Sequence, residues 1–117
     1  MDTRNKDSPL VYICSPYSGD IQRNTELARR YSRLAVDRGF IPLAPHLLLP
    51  QYISEETERE LAISINMQIL KRCQELWVCG KQVSEGMLHE IAQANELGLK
   101  IRNIKEDEIQ CMQLPKA

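Results

Sequence analysis

The stretch LVYICSPYSGD, residues 10–20, decides the fold of this chain. It begins with five apolar residues rich in strand formers and ends in a segment that contains a proline and a glycine. A short apolar run closed in this way is typical of a buried strand followed by a loop. Residues 23–38 then carry apolar side chains at helical spacing, and Gly39 stands where a helix is expected to end. The chain therefore starts with a strand, a loop and a helix.

The same alternation continues to residue 104. Apolar runs of strand length and segments of helical periodicity follow one another, and Pro42 places the second strand at an edge of the sheet or near its own end. The predicted strands and helices after residue 39 are 40–44, 55–73, 75–79, 84–97 and 100–104. This pattern predicts an α/β fold with three layers, α/β/α, on a flavodoxin-like or Rossmann-like parallel sheet of four to five strands. The tail beyond residue 105 is predicted to be a short helix or a fifth edge element.

Length and composition indicate a single folded domain. The chain has 117 residues, of which 43% are hydrophobic and 26% are charged. These values are close to the average of globular proteins, and the length is too short for two well-packed cores. We assign residues 9–117 to the domain and expect residues 1–8 to be disordered or loosely ordered.

Charge and hydropathy exclude several classes of partner. Fifteen Lys and Arg stand against sixteen Asp and Glu, a net charge of -1, so no nucleic-acid partner is expected on bulk charge. No apolar run approaches the roughly 18 residues of a membrane span. The polar N-terminus lacks the apolar core of a signal peptide. We therefore expect no membrane partner and a cytoplasmic location.

The cysteines are expected to be reduced structural thiols. None of the four forms a C-x-x-C pair, and the chain has two histidines, so we expect no metal site and no cofactor. Two of them lie in apolar strand-like runs, where a thiol behaves as a small hydrophobe. The four are Cys14, Cys73, Cys79 and Cys111.

A carboxylate lies on the apolar side of the helix predicted at residues 84–97. At 100° per residue, Glu90 falls in an arc of roughly 120° together with four apolar residues. These are Met87, Ile91, Ala94 and Leu97. A carboxylate in a buried stripe is costly unless another group satisfies it. Two interpretations stay open: a boundary glutamate bonded to a neighbouring tyrosine or backbone amide, and a functional carboxylate in a pocket of low dielectric constant.

Three loops lie where ligands bind in parallel sheets, beyond the carboxyl ends of the strands. Residues 15–20 offer two hydroxyls and a glycine. In residues 80–86, Ser84 is a good N-cap and Gly86 allows a ligand to approach the backbone; taken alone, these residues favour a helix cap without a ligand over an anion site. Residues 45–54 carry a run of three leucines, which is core filler, an oligomer contact or a pocket wall. Neither a Walker loop nor a G-x-G-x-x-G motif occurs.

Two of these segments carry a family resemblance. VYICSPY, residues 11–17, and SEGMLHEIAQA, residues 84–94, resemble the nucleoside 2-deoxyribosyltransferase superfamily, which includes the 2-deoxynucleoside 5-phosphate N-hydrolases. The late segment has the family's spacing of small, acidic and aliphatic residues at Gly86, Glu90, Ile91, Ala92 and Ala94. The similarity runs over about residues 10–104. It is greatest to a branch of small bacterial and phage proteins with S-P-x-x-G and A-P-H motifs.

The resemblance implies roles for particular residues. It makes Glu90 the nucleophile that attacks the anomeric carbon and displaces the base, and Tyr17 the residue that orients this carboxylate. Ser84 stands where the nucleotide hydrolases have a serine that contacts the 5-phosphate, which favours a phosphorylated substrate. The substrate-binding residues expected on this basis are Ser15, Pro16, Ser18, Gly19, Asp20, His46, Asn66, Ser84, Glu85 and Gly86.

One departure from the family pattern concerns the proton donor. The family has an Asp on the preceding helix that helps protonate the leaving base, and no Asp occurs between residues 55 and 73. The nearest counterpart is Asn66 or Met67, and an amide does not deliver a proton at neutral pH. Asp20 and His46 are the candidate substitutes.

Three functions therefore stay open. The first is an N-glycosidase or deoxyribosyltransferase that acts on nucleosides or their 5-monophosphates. The second is a non-catalytic binder of a nucleotide or an ADP-ribose-like signal, and the third is a TIR-like domain that cleaves NAD. The expected partner is a small nucleoside or nucleotide. Because the related enzymes are homo-oligomers, we expect a dimer or a larger assembly.

Overall fold

The computed structural model describes residues 7–115, and most of the expected loosely ordered segment 1–8 lies outside this range. The strands are β1 (Leu10–Cys14), β2 (Ile41–Leu43), β3 (Glu75–Cys79) and β4 (Lys100–Ile104). The helices are α1 (Ile21–Asp37), α2 (Pro45–Leu48), α3 (Arg59–Lys71) and α4 (Glu85–Leu97). Two short 3-10 turns follow α2 and β4, at Leu49–Gln51 and Glu106–Ile109.

The four strands form one parallel sheet in the order β2-β1-β3-β4. This confirms the predicted α/β fold, and the order is that of a flavodoxin-like sheet. Pro42 lies in β2, an edge strand, as its missing N–H requires. The tail adds no strand within the described residues. Its 3-10 turn instead packs Ile109 into the core.

Two hydrophobic clusters, one on each face of the sheet, make the layers. Strand alternation sends successive side chains of β1 to opposite faces. The cluster on the α1 side includes Val11, Ile13, Tyr31, Ala35 and Trp77. The cluster under α3 and α4 includes Tyr12, Cys14, Leu70, Met87 and Ala94. The side chains of Tyr12 and Cys14 therefore face α3 and α4.

The segment predicted as a loop at residues 45–54 is more ordered than expected, because it contains α2 and a 3-10 turn. Its leucine run divides between roles. Leu49 is buried and Leu47 packs against the core, so both act as core filler, whereas Leu48 is 44% exposed.

Helix α3 begins four residues later than the predicted start at residue 55. A local turn precedes it: the Ser54 hydroxyl accepts from the Thr57 N–H at 3.3 Å, and the Glu58 carboxylate accepts from the Ser54 N–H at 3.0 Å. Short polar side chains that bond to nearby backbone compete with the helix in this way.

The ends of β1 and β3 mark the point where the chain changes face. The two strands are neighbours, and Cys14 pairs with Val78 at their carboxyl ends. The chain leaves β1 toward α1 on one face and leaves β3 toward α4 on the other. Ligands bind at such a switch point in open parallel sheets. None of the described helices is long and apolar enough to cross a membrane.

Candidate functional site

Glu90 lies on the inner face of α4, against the sheet. Its side chain is 6% exposed. Met87 and Ala94, three residues before it and four after it, both belong to the buried cluster under α3 and α4. Helical spacing therefore carries the carboxylate into the interior, on the buried stripe where the sequence predicts it.

Tyr12 holds this carboxylate. Its hydroxyl donates a hydrogen bond of 2.7 Å to Oε2 of Glu90. The sequence predicts that Tyr17 orients Glu90; in the structure the phenol bonded to the carboxylate is that of Tyr12, on the central strand, and the Tyr17 ring stacks on His46. Sequence reasoning missed Tyr12, although strand alternation gives the signal, since Tyr12 and Cys14 are the β1 residues that face α4.

The proton positions in this cluster follow from burial. Burial raises the pKa of the Glu90 carboxyl, and hydrogen bonds from Tyr12 and Cys14 oppose this shift. Burial and the neighbouring carboxylate raise the pKa of the Tyr12 phenol and of the Cys14 thiol far above neutrality. The hydroxyl and the thiol therefore keep their protons and act as donors. The thiol also lies 3.9 Å from the Met87 carbonyl oxygen.

Three predicted site residues have a buried oxygen without a hydrogen-bond partner within the described part of the chain. The atoms are Oε1 of Glu90, Oδ1 of Asn66 and Oγ of Ser15. An unpaired buried polar group costs about 1–3 kcal/mol, and native proteins keep few of them. Oε1 is the half of the carboxylate that Tyr12 does not hold.

Asn66 lies on the inner side of α3. α3 and α4 both follow a strand of the parallel sheet, pack against each other and cover the same face. Asn66 is one turn before the buried Leu70, and its Oδ1 is itself buried. The Asn66 amide therefore faces the interior of the layer that also contains Glu90.

The first loop and α2 meet at the carboxyl end of β1. The rings of Tyr17 and His46 stack with their centroids 5.1 Å apart and an interplanar angle of 24°. Burial lowers the pKa of His46, and the charge of Glu55 and the backbone of Ser15 act in the opposite direction. Ser15 is itself buried, and Pro16 is half-buried beside Tyr17. Three of the predicted site residues, Ser15, Tyr17 and His46, are thus neighbours.

The rest of the first loop is tied to the start of α1. The Asp20 carboxylate caps this helix by accepting from the Arg23 N–H at 3.1 Å. The Asn24 amide, which sequence reasoning missed, donates to the backbone carbonyls of Tyr17 and Ser18 at 3.1 Å each. Gly19 has φ +96°, which glycine adopts without strain. Asp20 is therefore engaged in capping.

The start of α4 is exposed. Ser84 is the N-cap, as predicted, because its hydroxyl accepts from the Met87 N–H at 3.3 Å. Glu85 and Gly86 form the first turn and are also exposed. A Cβ added at Gly86 would find only the Ser84 hydroxyl, at 4.0 Å, so open space lies above this turn. The positive end of a helix attracts anions.

Within residues 7–115, no three His, Cys, Asp or Glu side chains come together as a metal site. Over the same range the four cysteines are free thiols: Cys14, Cys73 and Cys79 are buried, and Cys111 is exposed.

Comparison with solved structures shows a shared fold. A 2-deoxyribosyltransferase from Bacillus psychrosaccharolyticus superimposes with a TM-score of 0.66 and 13% identity, over 92% of this chain and 77% of that one. A 2-deoxyribosyltransferase from Leishmania mexicana gives a TM-score of 0.63 and 17% identity, over 83% of this chain and 64% of that one. At identities this low, the comparison shows a shared fold, and the activity has to be argued from the residues of the site.

Comparison at the level of sequence gives the family. No curated protein sequence matches the chain. A family described as a domain of unknown function, DUF7768, matches residues 9–104, which include all four strands and the helix that carries Glu90. The chain therefore belongs to the DUF7768 family.

Proposed function

We propose that this protein is an N-glycosidase or deoxyribosyltransferase that acts on nucleosides or nucleoside 5-monophosphates, with Glu90 as the nucleophile. The Glu90 carboxylate carries the proposal: it is buried at the sheet's switch point, Tyr12 holds one oxygen, and the other has no partner within residues 7–115. The fold shared with two 2-deoxyribosyltransferases supports the same class of chemistry.

The reaction would use the two carboxylate oxygens differently. Oε1 of Glu90 would attack the anomeric carbon and displace the base, while Tyr12 holds Oε2 and the plane of the carboxylate. A covalent glycosyl ester divides one difficult displacement into two easier ones. Water would resolve the ester in a hydrolase, and a second base would do so in a transferase.

The ionised form of Glu90 is the nucleophile, although burial favours the neutral form. Tyr12 offsets part of this cost because it donates a hydrogen bond to the carboxylate, and the neighbouring Cys14 thiol acts on the pKa in the same direction. Hydrogen bonds to the charged form favour it. Tyr12 would therefore be a positioning residue that also increases the ionised fraction.

The start of α4 supports a phosphorylated substrate. Ser84 and Gly86 lie at the positive end of the helix that carries Glu90, and Gly86 leaves open space above the backbone. The exposed Ser18 and Gly19 lie in the loop after the neighbouring strand β1. We propose that these residues surround a 5-phosphate, since helix N-termini and glycine-rich turns bind phosphate through backbone N–H groups.

The Tyr17–His46 stack would form one wall for the base. Both rings lie beside Ser15, at the carboxyl end of the strand that carries Tyr12. Aromatic faces favour offset stacking with other rings. The proposed site thus has an aromatic wall, a nucleophile and an anion-binding turn along one edge of the sheet.

The direct test is release of free base from a panel of nucleosides and 5-monophosphates, followed by chromatography. Glu90→Gln should abolish the release while the circular dichroism spectrum stays native. Glu96→Gln removes an exposed carboxylate from the same helix and should leave the rate unchanged. Absence of base release by the wild-type protein across the whole panel would contradict the proposal.

Asn66 favours one alternative, a protein that binds a nucleotide without cleaving it. Its amide does not supply the proton that a neutral leaving base requires. Calorimetry separates the two functions: a ligand that binds and is recovered intact supports the binding protein, whereas its cleavage supports the enzyme.

A further inference from the structure

We infer that the substrates of this site are N-glycosides whose base carries a positive charge, such as pyridinium or N7-alkylated purine nucleotides. The inference rests on the proposed function and names its substrate class. Its basis is the set of groups that the fold places around Glu90.

The groups around this carboxylate are uncharged. Tyr12 donates a hydrogen bond to it, and the Cys14 thiol, two residues along the same strand, faces the same layer. No cationic side chain is among the groups that act on Glu90. Once ionised, Glu90 gives this interior a negative potential, which attracts a cation more strongly than in water because the dielectric constant is low.

No group described at this site is suited to protonate a leaving base. The Tyr12 phenol is bonded to Glu90, the Cys14 thiol faces the Met87 carbonyl, and burial holds the pKa values of both groups far above neutrality. The Asn66 amide has no acidic proton to give.

The two candidate substitutes are engaged elsewhere. Asp20 caps α1. His46 stacks on Tyr17, its charged neighbour is Glu55, and burial lowers its pKa, so the ring is neutral at pH 7.

A cationic base removes the need for this proton. Oε1 of Glu90 forms a bond to the anomeric carbon, and the C–N bond breaks with its electron pair going to the ring nitrogen. That pair cancels the positive charge, so the base leaves as a neutral molecule. Water then attacks the anomeric carbon of the ester, which restores the carboxylate and releases the sugar and one proton to solvent. Charge and atoms balance without a general acid.

A matched pair of substrates tests the inference. 7-methylguanosine 5-monophosphate and guanosine 5-monophosphate differ by one methyl group and by the positive charge that the methylated base carries while N1 keeps its proton. Both are therefore compared at about pH 6, in the ribose and 2-deoxyribose series. Each enzymatic rate is divided by the rate in buffer, because the cationic nucleotide is intrinsically more labile. A general acid contributes about 10²–10⁴-fold. The enhancement for the methylated substrate should therefore exceed that for guanosine 5-monophosphate by roughly 10²-fold or more.

An added acid should weaken this preference. Asn66→Asp places a carboxyl group on the inner side of α3 and should raise cleavage of the neutral nucleotide by about tenfold or more, a fraction of the usual effect of a general acid. The ratio of the two enhancements should fall accordingly. Gln68→Asp adds the same charge to the exposed side of α3 and should leave the ratio unchanged.

A second readout needs no variant. For nicotinamide mononucleotide, whose pyridinium charge does not change with pH, the rate should rise with pH as Glu90 ionises and then stay level, because no acid has to remain protonated. A falling limb at higher pH would overturn the inference.

The outcomes separate this inference from the proposed function. Equal enhancements for the two nucleotides would overturn the inference while the glycosidase activity stands. Cleavage of neutral nucleotides of the panel but of neither cationic nucleotide would also overturn the inference alone, whereas no release of base from any member of the panel or from nicotinamide mononucleotide would overturn both.

Discussion

The hydroxyl of Tyr12 donates a hydrogen bond of 2.7 Å to Oε2 of Glu90 and so joins the central strand β1 to α4 across 78 positions of the sequence. Both side chains are buried, and burial alone would favour a neutral carboxyl. The contact fixes the plane of the carboxylate and leaves Oε1 without a partner within the described residues.

Tyr12→Phe removes this donor, so the pKa of Glu90 should rise further above its usual value. The acid limb of the pH–rate profile should then move to higher pH. The free energy of unfolding should fall by about 1.5–3 kcal/mol, the contribution of a hydrogen bond to a charged group. Urea unfolding and a pH series of kcat/KM measure the two effects.

Tyr31→Phe is the matched control for this variant. The Tyr31 hydroxyl is buried without a partner among the described residues, so its loss should leave stability unchanged or higher and the pH profile unmoved. Identical profiles for Tyr12→Phe and the wild type would contradict the positioning role of Tyr12.

Glu90→Gln should change how stability depends on pH. The folded state raises the pKa of Glu90 above the usual 4.5, so Glu90 contributes stability below that pH, where it is protonated in both states. This contribution is lost as pH rises through the folded pKa, because the unfolded state then releases the proton more readily. The free energy of unfolding of Glu90→Gln, relative to that of the wild type, should therefore increase as pH rises above 4.5. Urea unfolding of both proteins from pH 4 to pH 8 measures this difference. A difference in free energy of unfolding that stays constant over this range would contradict the raised pKa of Glu90.

Gly86→Ala should separate stability from binding. Alanine stabilises a helix by about 0.8–1 kcal/mol relative to glycine, and the added Cβ meets no atom closer than 4.0 Å, so the melting temperature should rise. If the turn binds a 5-phosphate, the same methyl group should raise KM for a nucleoside 5-monophosphate. The corresponding nucleoside serves as the control and should keep its KM. An equal change for both substrates would place the phosphate elsewhere.

Leu48→Glu tests the expected homo-oligomer. Leu48 is 44% exposed on α2, next to two leucines that are used in packing, so it is free to contact a second copy. Sedimentation velocity should show a dimer or larger species for the wild type and a smaller species for the variant. A monomeric mass for the wild type at micromolar concentration would contradict the expectation.

The strands and helices that form the layers can be predicted from the sequence, because each depends on the apolar pattern of its own segment. β3 and β4 have the predicted bounds, 75–79 and 100–104, since apolar runs of five residues between turn signals leave little choice. Trp77 is buried, as its place on a central strand predicts. The start of α3 was misplaced because Ser54 and Glu58 form a turn that helical periodicity does not reveal.

The partner of Glu90 depends on tertiary structure. Tyr12 reaches the carboxylate because strand alternation, the pairing of β1 with β3 and the packing of α4 combine. The sequence motif instead drew attention to Tyr17, a residue of the neighbouring loop. The inward position of Glu90, by contrast, follows from spacing on a single helix.

The long sequence separation between Tyr12 and Glu90 also bears on how the protein folds. The pair exists only after β1 has joined the sheet and α4 has docked, so a partly folded intermediate holds an unclamped carboxylate. Recovery of the proposed base release after dilution from denaturant should thus report the docking of α4, whereas far-ultraviolet ellipticity should recover as helices and strands form.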